Sequence, residues 1–81
     1  MSTFSPSPLD IKNFQDSLKL STRNAEYAYK TAANIDDLAA KDAVKALSKA
    51  LAHANLTTLN ASNLLGGPQV DVYELSKKLN F

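Results

Sequence analysis

Two long stretches of the chain repeat their apolar and small residues at alternating spacings of three and four, the period of one helix face. The first begins at a helix start signal: Ser7 suits the N-cap, Pro8 the first helical position, and Asp10 lies near the positive end of the helix dipole. The repeat predicts a first helix over about residues 8–33. Its predicted buried face consists of Ile11, Phe14, Leu18, Ser21, Ala25, Ala28 and Ala32.

The second stretch follows a break at residues 34–37, where Asp37 can cap a new helix. Its repeat averages 3.5 residues, the heptad pattern of left-handed helix packing. A stop at Gly66-Gly67-Pro68 places the helix over about residues 37–65. The short connection makes the two helices antiparallel neighbours. The stripe predicted to lie in the seam between them is Ala40, Val44, Leu47, Leu51, Ala54, Thr58, Ala61 and Leu65.

A third, short helix is predicted over residues 71–79, where Asp71 and Glu74 have the spacing of a capping box. At about ten residues it is too short to be stable alone, so we expect it to dock on the second helix. The predicted class is all-α: an antiparallel helical hairpin with a short C-terminal helix, forming a small helical bundle. Residues 1–7 read as a flexible N-terminal arm, and residues 8–81 as a single domain.

The segment from Ala50 to Val70 contains no Asp, Glu, Lys or Arg, although 21% of the chain is charged. Its leucines would point in all directions around a helix, and such a helix is usually covered on more than one side. A chain of 81 residues has little material to cover it. We therefore predict a protein partner, most simply a second copy. The predicted protein-interaction residues are Leu56, Leu59, Asn60, Asn63, Leu64 and Tyr73.

The composition restricts how the domain can be stabilised and what it can bind. With no cysteine and only His53, disulfides and zinc sites are excluded as supports, which favours oligomerisation. The net charge of +1 is spread evenly and predicts no nucleic-acid partner. No window approaches the roughly 20 apolar residues of a membrane span, and the N-terminus lacks a signal-peptide pattern. We expect a soluble protein that is cytoplasmic or exported without a cleavable signal peptide.

Catalytic motifs are missing from the sequence, which holds no Gly-rich phosphate loop, paired acidic site or His/Cys cluster. We therefore predict no enzyme activity, cofactor, metal or small-molecule substrate. The tripeptide Asp16-Ser17-Leu18 resembles the D-S-L motif that carries phosphopantetheine in acyl carrier proteins. That family places the serine at the start of its second helix and has an acidic surface. Ser17 instead falls inside the first helix and is predicted to be an ordinary exposed residue.

Two functional hypotheses follow from this sequence. The favoured one is a non-enzymatic structural or assembly protein that self-associates through an uncharged helical surface. A helical hairpin with a Ser/Thr-rich arm is similar in plan to the needle and pilus subunits of type III secretion systems, although their terminal sequence patterns are absent, which leaves an analogy of architecture. The alternative is a small helical binding module (an inhibitor, immunity protein or adaptor) that uses the same surface for a different protein.

Overall fold

The computed structural model describes residues 6–79 and 81, and these form helices and connecting turns without a strand. Helix α1 spans Pro8–Thr31 and continues as a 3₁₀ turn over Ala32–Asn34; α2 spans Leu38–Ser62 and α3 spans Val72–Lys78. The predicted class, two long packed helices with a short third one, is confirmed. Most of the predicted N-terminal arm, residues 1–5, lies outside the described residues.

Each helix begins where the sequence supplies a side-chain acceptor. The Ser7 hydroxyl accepts from the Asp10 N–H, and the Asp10 carboxylate accepts from the Ser7 N–H, each at 3.1 Å, which completes a capping box. The carboxylate of Asp37 caps α2 by accepting from the Ala40 N–H, and the carboxylate of Asp71 caps α3 by accepting from the Glu74 N–H. These bonds satisfy backbone donors that a helix leaves free at its start, so the starts fall within one residue of their predicted positions.

Two hydrogen bonds between side chains set the register of α1 against α2. The Gln15 amide donates to the Ser62 hydroxyl at 2.8 Å, and the Asn55 amide donates to the Ser21 hydroxyl at 2.9 Å. The residue farther along α1 pairs with the residue that comes earlier in α2, so the helices are antiparallel, as predicted. The predicted buried face of α1 is confirmed in part: Ile11, Ala25 and Ala32 are buried and its other four residues are half-buried, while the buried Gln15 and Thr22 were not predicted.

The predicted seam of α2 is wrong by one position. The side chains of α2 that are buried in this seam are Ser48, Ala52, Asn55, Leu59 and Ser62. Leu51 and Leu47, predicted to lie inside, are 46% and 70% exposed. One position turns the helix by about 100°, so the predicted stripe lies along a flank. The reason is that Gln15 and Ser21 enter the seam and need hydrogen-bond partners there, which Ser62 and Asn55 provide.

Polar side chains share the interior almost equally with apolar ones. The buried polar residues are Gln15, Thr22, Ser48, Asn55 and Ser62, and the buried apolar ones are Ile11, Ala25, Ala32, Ala52, Leu56 and Leu59. In the part of the chain that the structure describes, no buried side-chain nitrogen or oxygen lacks a hydrogen-bond partner. Because three of the apolar residues are alanines, burial within one chain removes little apolar surface from water.

After α2 the chain turns sharply and returns along α1. The N–H groups of residues 63–65 donate to the carbonyls three residues earlier. The chain therefore keeps a helical course up to residue 65, the predicted end of the second helix. The Asn63 amide then closes the turn, because it donates to the Val70 carbonyl at 2.9 Å and accepts from the Val70 N–H at 2.8 Å. Gly66 has φ +83°, and Gly67 packs on the buried Ile11.

Gly67→Ala is expected to lower the free energy of unfolding by about 2 kcal/mol, as overpacking of a core commonly does. A Cβ on residue 67 would lie 2.7 Å from Ile11 Cγ2 and 2.9 Å from Ile11 Cβ. Since Cβ is fixed to the backbone, side-chain rotation cannot relieve the clash. Urea unfolding followed by circular dichroism measures the effect, and wild-type stability of the variant would contradict the packing of Gly67 on Ile11.

Helix α3 folds back over one side of the hairpin. Its Val72 and Ser76 border a shallow groove with Leu56 and Asn60 of α2, and its C-terminal end, with Leu79, borders a second groove with α1. The predicted docking on α2 is confirmed, and the C-terminal end of α3 faces α1 across the second groove. Phe81 then meets Tyr29 edge to face, with ring centroids 4.9 Å apart.

Candidate functional site: an uncharged face of the hairpin

The flank of the hairpin that α3 leaves open is a continuous surface built by both long helices. On α1, the residues bordering α3 are Lys19, Thr22, Arg23 and Glu26; on α2 they are His53, Leu56, Thr57 and Asn60. At about 100° per residue, the opposite flank of α2 carries Leu47, Leu51, Ala54, Thr58 and Ala61. In an antiparallel pair the corresponding flanks share one side, so the open flank of α1 adds the exposed Ser17 and Asn24 and, at its edge with the seam, the half-buried Phe14, Ser21 and Ala28. We call these ten residues the uncharged face.

None of these ten residues is charged. The charged residues of α2, namely Lys41, Asp42, Lys45 and Lys49, point at about 100° per residue toward the α1 seam or the α3 side. Lys45, for example, lies with its Nζ 5.5 Å from the centroid of the Tyr29 ring. Asp10 lies at the end of the α1 flank, where its carboxylate is used in the capping box. The open side of the hairpin is therefore free of charge over most of its length.

The α2 part of the uncharged face is both apolar and exposed. Leu47, Leu51, Ala54, Thr58 and Ala61 are all exposed, and Ala40 and Leu65 extend the row at its ends. The row keeps the alternating three–four spacing of a helix-packing stripe. A contiguous row of exposed leucine and alanine without charge is a feature of surfaces that contact other molecules.

The structure does not bring the six predicted interaction residues together. Leu59 is fully buried at 0% exposure, so it cannot contact a partner of the folded chain. Leu56 is covered where α3 docks, and the Asn63 amide is bonded to the backbone of its own turn. The remaining three, Asn60, Leu64 and Tyr73, are exposed.

These three exposed residues lie apart from the uncharged face. Asn60 borders the groove next to α3. Tyr73, on α3 itself, has the Lys77 Nζ 4.5 Å from its ring centroid. Leu64, at 87% exposure, lies in the turn after α2. Their role in binding stays a prediction, and the larger uncharged surface lies on the other side of the hairpin.

The uncharged face was missed although its signal is present in the sequence. Its α2 row is the stripe that was predicted to lie in the seam with α1. A second stripe with the same spacing, from Ser48 to Ser62, runs beside it and contains serine and asparagine. Only one of two neighbouring stripes can face α1, and the leucine-rich one is left outside.

Other chemical features of the described residues are local to the helix surface. The Ser17 hydroxyl donates to the Asn13 carbonyl one turn back, at 3.1 Å. Lys12 Nζ donates to the Asp16 carboxylate at 2.8 Å, and this hydrogen bond lowers the pKa of Asp16. Within the described part of the chain, no three His, Asp or Glu side chains cluster as metal ligands do. Nor is any helix there long and apolar enough to cross a membrane.

The fold and the site together define an all-α helical hairpin with a short third helix and one uncharged side. Comparison of the chain with protein-family models, curated proteins and solved structures found no match. The uncharged face is therefore the observation from which a function is inferred.

Proposed function

We propose that this protein is a non-enzymatic structural or assembly protein that self-associates through the uncharged face. The observation that carries the proposal is the exposed row of Leu47, Leu51 and Ala54 at helix-packing spacing, on a side of the hairpin without charge. Removing this surface from water requires no charge to be buried, so association avoids the large desolvation cost of a charged group.

The energetics of the single chain also support association. Its interior is small and half polar, and small domains of this kind commonly need a further source of stability. The described residues belong to a chain without cysteine, so a disulfide cannot provide it. Burying an exposed leucine contributes about 1.5–3 kcal/mol. Because Leu47 and Leu51 are 70% and 46% exposed, covering both would contribute about 2–4 kcal/mol per subunit before the cost of association, compared with a typical net domain stability of about 5–15 kcal/mol.

Sedimentation equilibrium of the purified chain tests this proposal. We expect the weight-average mass to rise with concentration between the micromolar and millimolar ranges. The reason is that each association buries apolar surface from both copies. A mass that stays at that of one chain throughout this range would overturn self-association. The uncharged face would then be assigned to a different protein, as expected for an inhibitor, immunity protein or adaptor.

A further inference from the structure

We propose that the uncharged face binds the same face of one second copy, with the two α2 helices antiparallel, and that this pairing closes a two-fold dimer. This inference rests on the proposed function and specifies its partner and geometry. In such a dimer each helix stacks on its own counterpart, so that two hairpins form a four-helix bundle. Helix α3 of each copy stays on the outer side of the bundle, away from the contact.

The sizes of the residues in the α2 row select the register. Along the row the large residues come first, as Leu47 and Leu51, and the small ones follow, as Ala54, Thr58 and Ala61. An antiparallel copy reverses this order, so that large residues lie opposite small ones. With Leu51 opposite Ala54 of the second copy, each layer pairs one larger and one smaller residue. The layers are Leu51 with Ala54, Leu47 with Thr58, Val44 with Ala61 and Ala40 with Leu65.

Other pairings of the same row fit less well. A shift of one heptad, which places Leu47 opposite Leu65, also puts Ala54 opposite Thr58. Two small residues would then meet at the centre of the contact and leave a void, which is unfavourable. A parallel pairing places every residue opposite the same residue of the second copy. Layers of two leucines then require a wide separation of the helices, whereas layers of two alanines pack only at a short separation. The antiparallel arrangement also places the positive end of each helix dipole beside the negative end of the other, which is favourable.

The area of the face is sufficient for a stable dimer. Helix α2 has 25 residues, which gives a length of about 38 Å at 1.5 Å per residue. Two packed helices present a face about 20 Å wide, given axes 8–10 Å apart. The product, about 750 Å² per subunit, is close to the roughly 800 Å² per partner of standard specific interfaces. A second copy therefore fits the face in both size and chemistry.

Engineered cysteines test the register, because the natural chain has none. The single variants are Leu47→Cys and Thr58→Cys, at two exposed positions of α2. In the proposed dimer, residue 47 of one copy lies opposite residue 58 of the other. Each residue lies about 16 Å along the helix axis from its own counterpart, beyond the roughly 7 Å between Cα atoms that a disulfide can bridge.

We expect an equimolar mixture of the two variants to form a disulfide-linked dimer at least about tenfold faster than either variant alone, since only opposed cysteines reach disulfide geometry. Leu20→Cys is the matched control, because Leu20 is exposed on α1 but points away from α2. Mixed with either variant it should not cross-link. Equal rates in all mixtures would show random collision and overturn the proposed contact.

The same experiment separates this inference from the proposed function. Faster cross-linking of Leu47→Cys with itself than with Thr58→Cys would indicate a parallel pairing and overturn the antiparallel register. Sedimentation would then still show association, so the proposed function would stand. A wild-type chain that sediments as a monomer at millimolar concentration would overturn both.

Discussion

Replacement of Leu59 by alanine is expected to lower the free energy of unfolding by about 3 kcal/mol, within the range for buried leucine. Leu59 is fully enclosed between the helices of the hairpin. Truncation would therefore remove apolar contacts and leave a cavity in an interior that contains few large apolar side chains. Urea unfolding followed by circular dichroism, at a dilution where the wild-type chain is monomeric, gives the value. The loss would remove a large share of the roughly 5–15 kcal/mol typical of domains.

Leu51→Ala is the matched control for this prediction, on the same helix about two turns earlier. Leu51 lies on the uncharged face and is nearly half exposed, so truncation should cost less than about 1 kcal/mol in the monomer. The comparison decides between the two stripes of α2. A larger loss for Leu51→Ala than for Leu59→Ala would return the leucine stripe to the seam and contradict the observed packing.

Leu51→Lys is expected to weaken self-association strongly while the chain remains helical. A charge placed in an apolar contact costs about 1–2 kcal/mol, and a symmetric dimer contains the substitution twice. The expected total of about 2–4 kcal/mol corresponds to an increase of about 30-fold to 1,000-fold in the dimer Kd. Sedimentation equilibrium gives the Kd, and circular dichroism reports whether the helices are kept.

Leu20→Lys serves as the control for charge alone. Leu20 is 60% exposed and points away from α2, so the variant changes the net charge equally without entering the uncharged face. Its Kd should stay within about twofold of wild type, since exposed substitutions have effects of a few tenths of a kcal/mol. An equal loss of association in both variants would attribute the effect to net charge. An unchanged Kd in Leu51→Lys would exclude Leu51 from the contact.

The helices of this protein were predictable from the sequence because their signals are local. Ser7, Asp37 and Asp71 each supply a side-chain acceptor to backbone donors within their own first turn. The end of α2 follows from the glycines after it, of which Gly66 adopts the left-handed conformation. The face of α1 could be identified only approximately: its stripe of apolar and small residues located Ile11 and Ala25, but not the buried Gln15 and Thr22, which are polar.

The candidate site could be predicted only as an uncharged helical surface. Three of the six predicted residues are used inside the chain: Leu59 in the core, Leu56 where α3 docks, and Asn63 in the turn. Each of these contacts is made with a part of the chain outside α2: α1, α3 or the turn that follows α2. The position of α3 decides which flank of the hairpin stays open. The residue pattern of α2 alone does not predict where α3 docks.

The sequence by itself determined that α2 is a helix with two neighbouring stripes and an uncharged half; the tertiary structure decided which stripe faces α1. Hydrophobicity alone favours the leucine stripe. The Gln15–Ser62 and Ser21–Asn55 hydrogen bonds join residues far apart in the chain and favour the other stripe. Leaving Gln15 and Ser21 without these partners in the seam would cost about 1–3 kcal/mol each, which offsets the roughly 1.5–3 kcal/mol gained by burying a leucine. The chain therefore satisfies its polar seam internally and leaves its leucines on the outside.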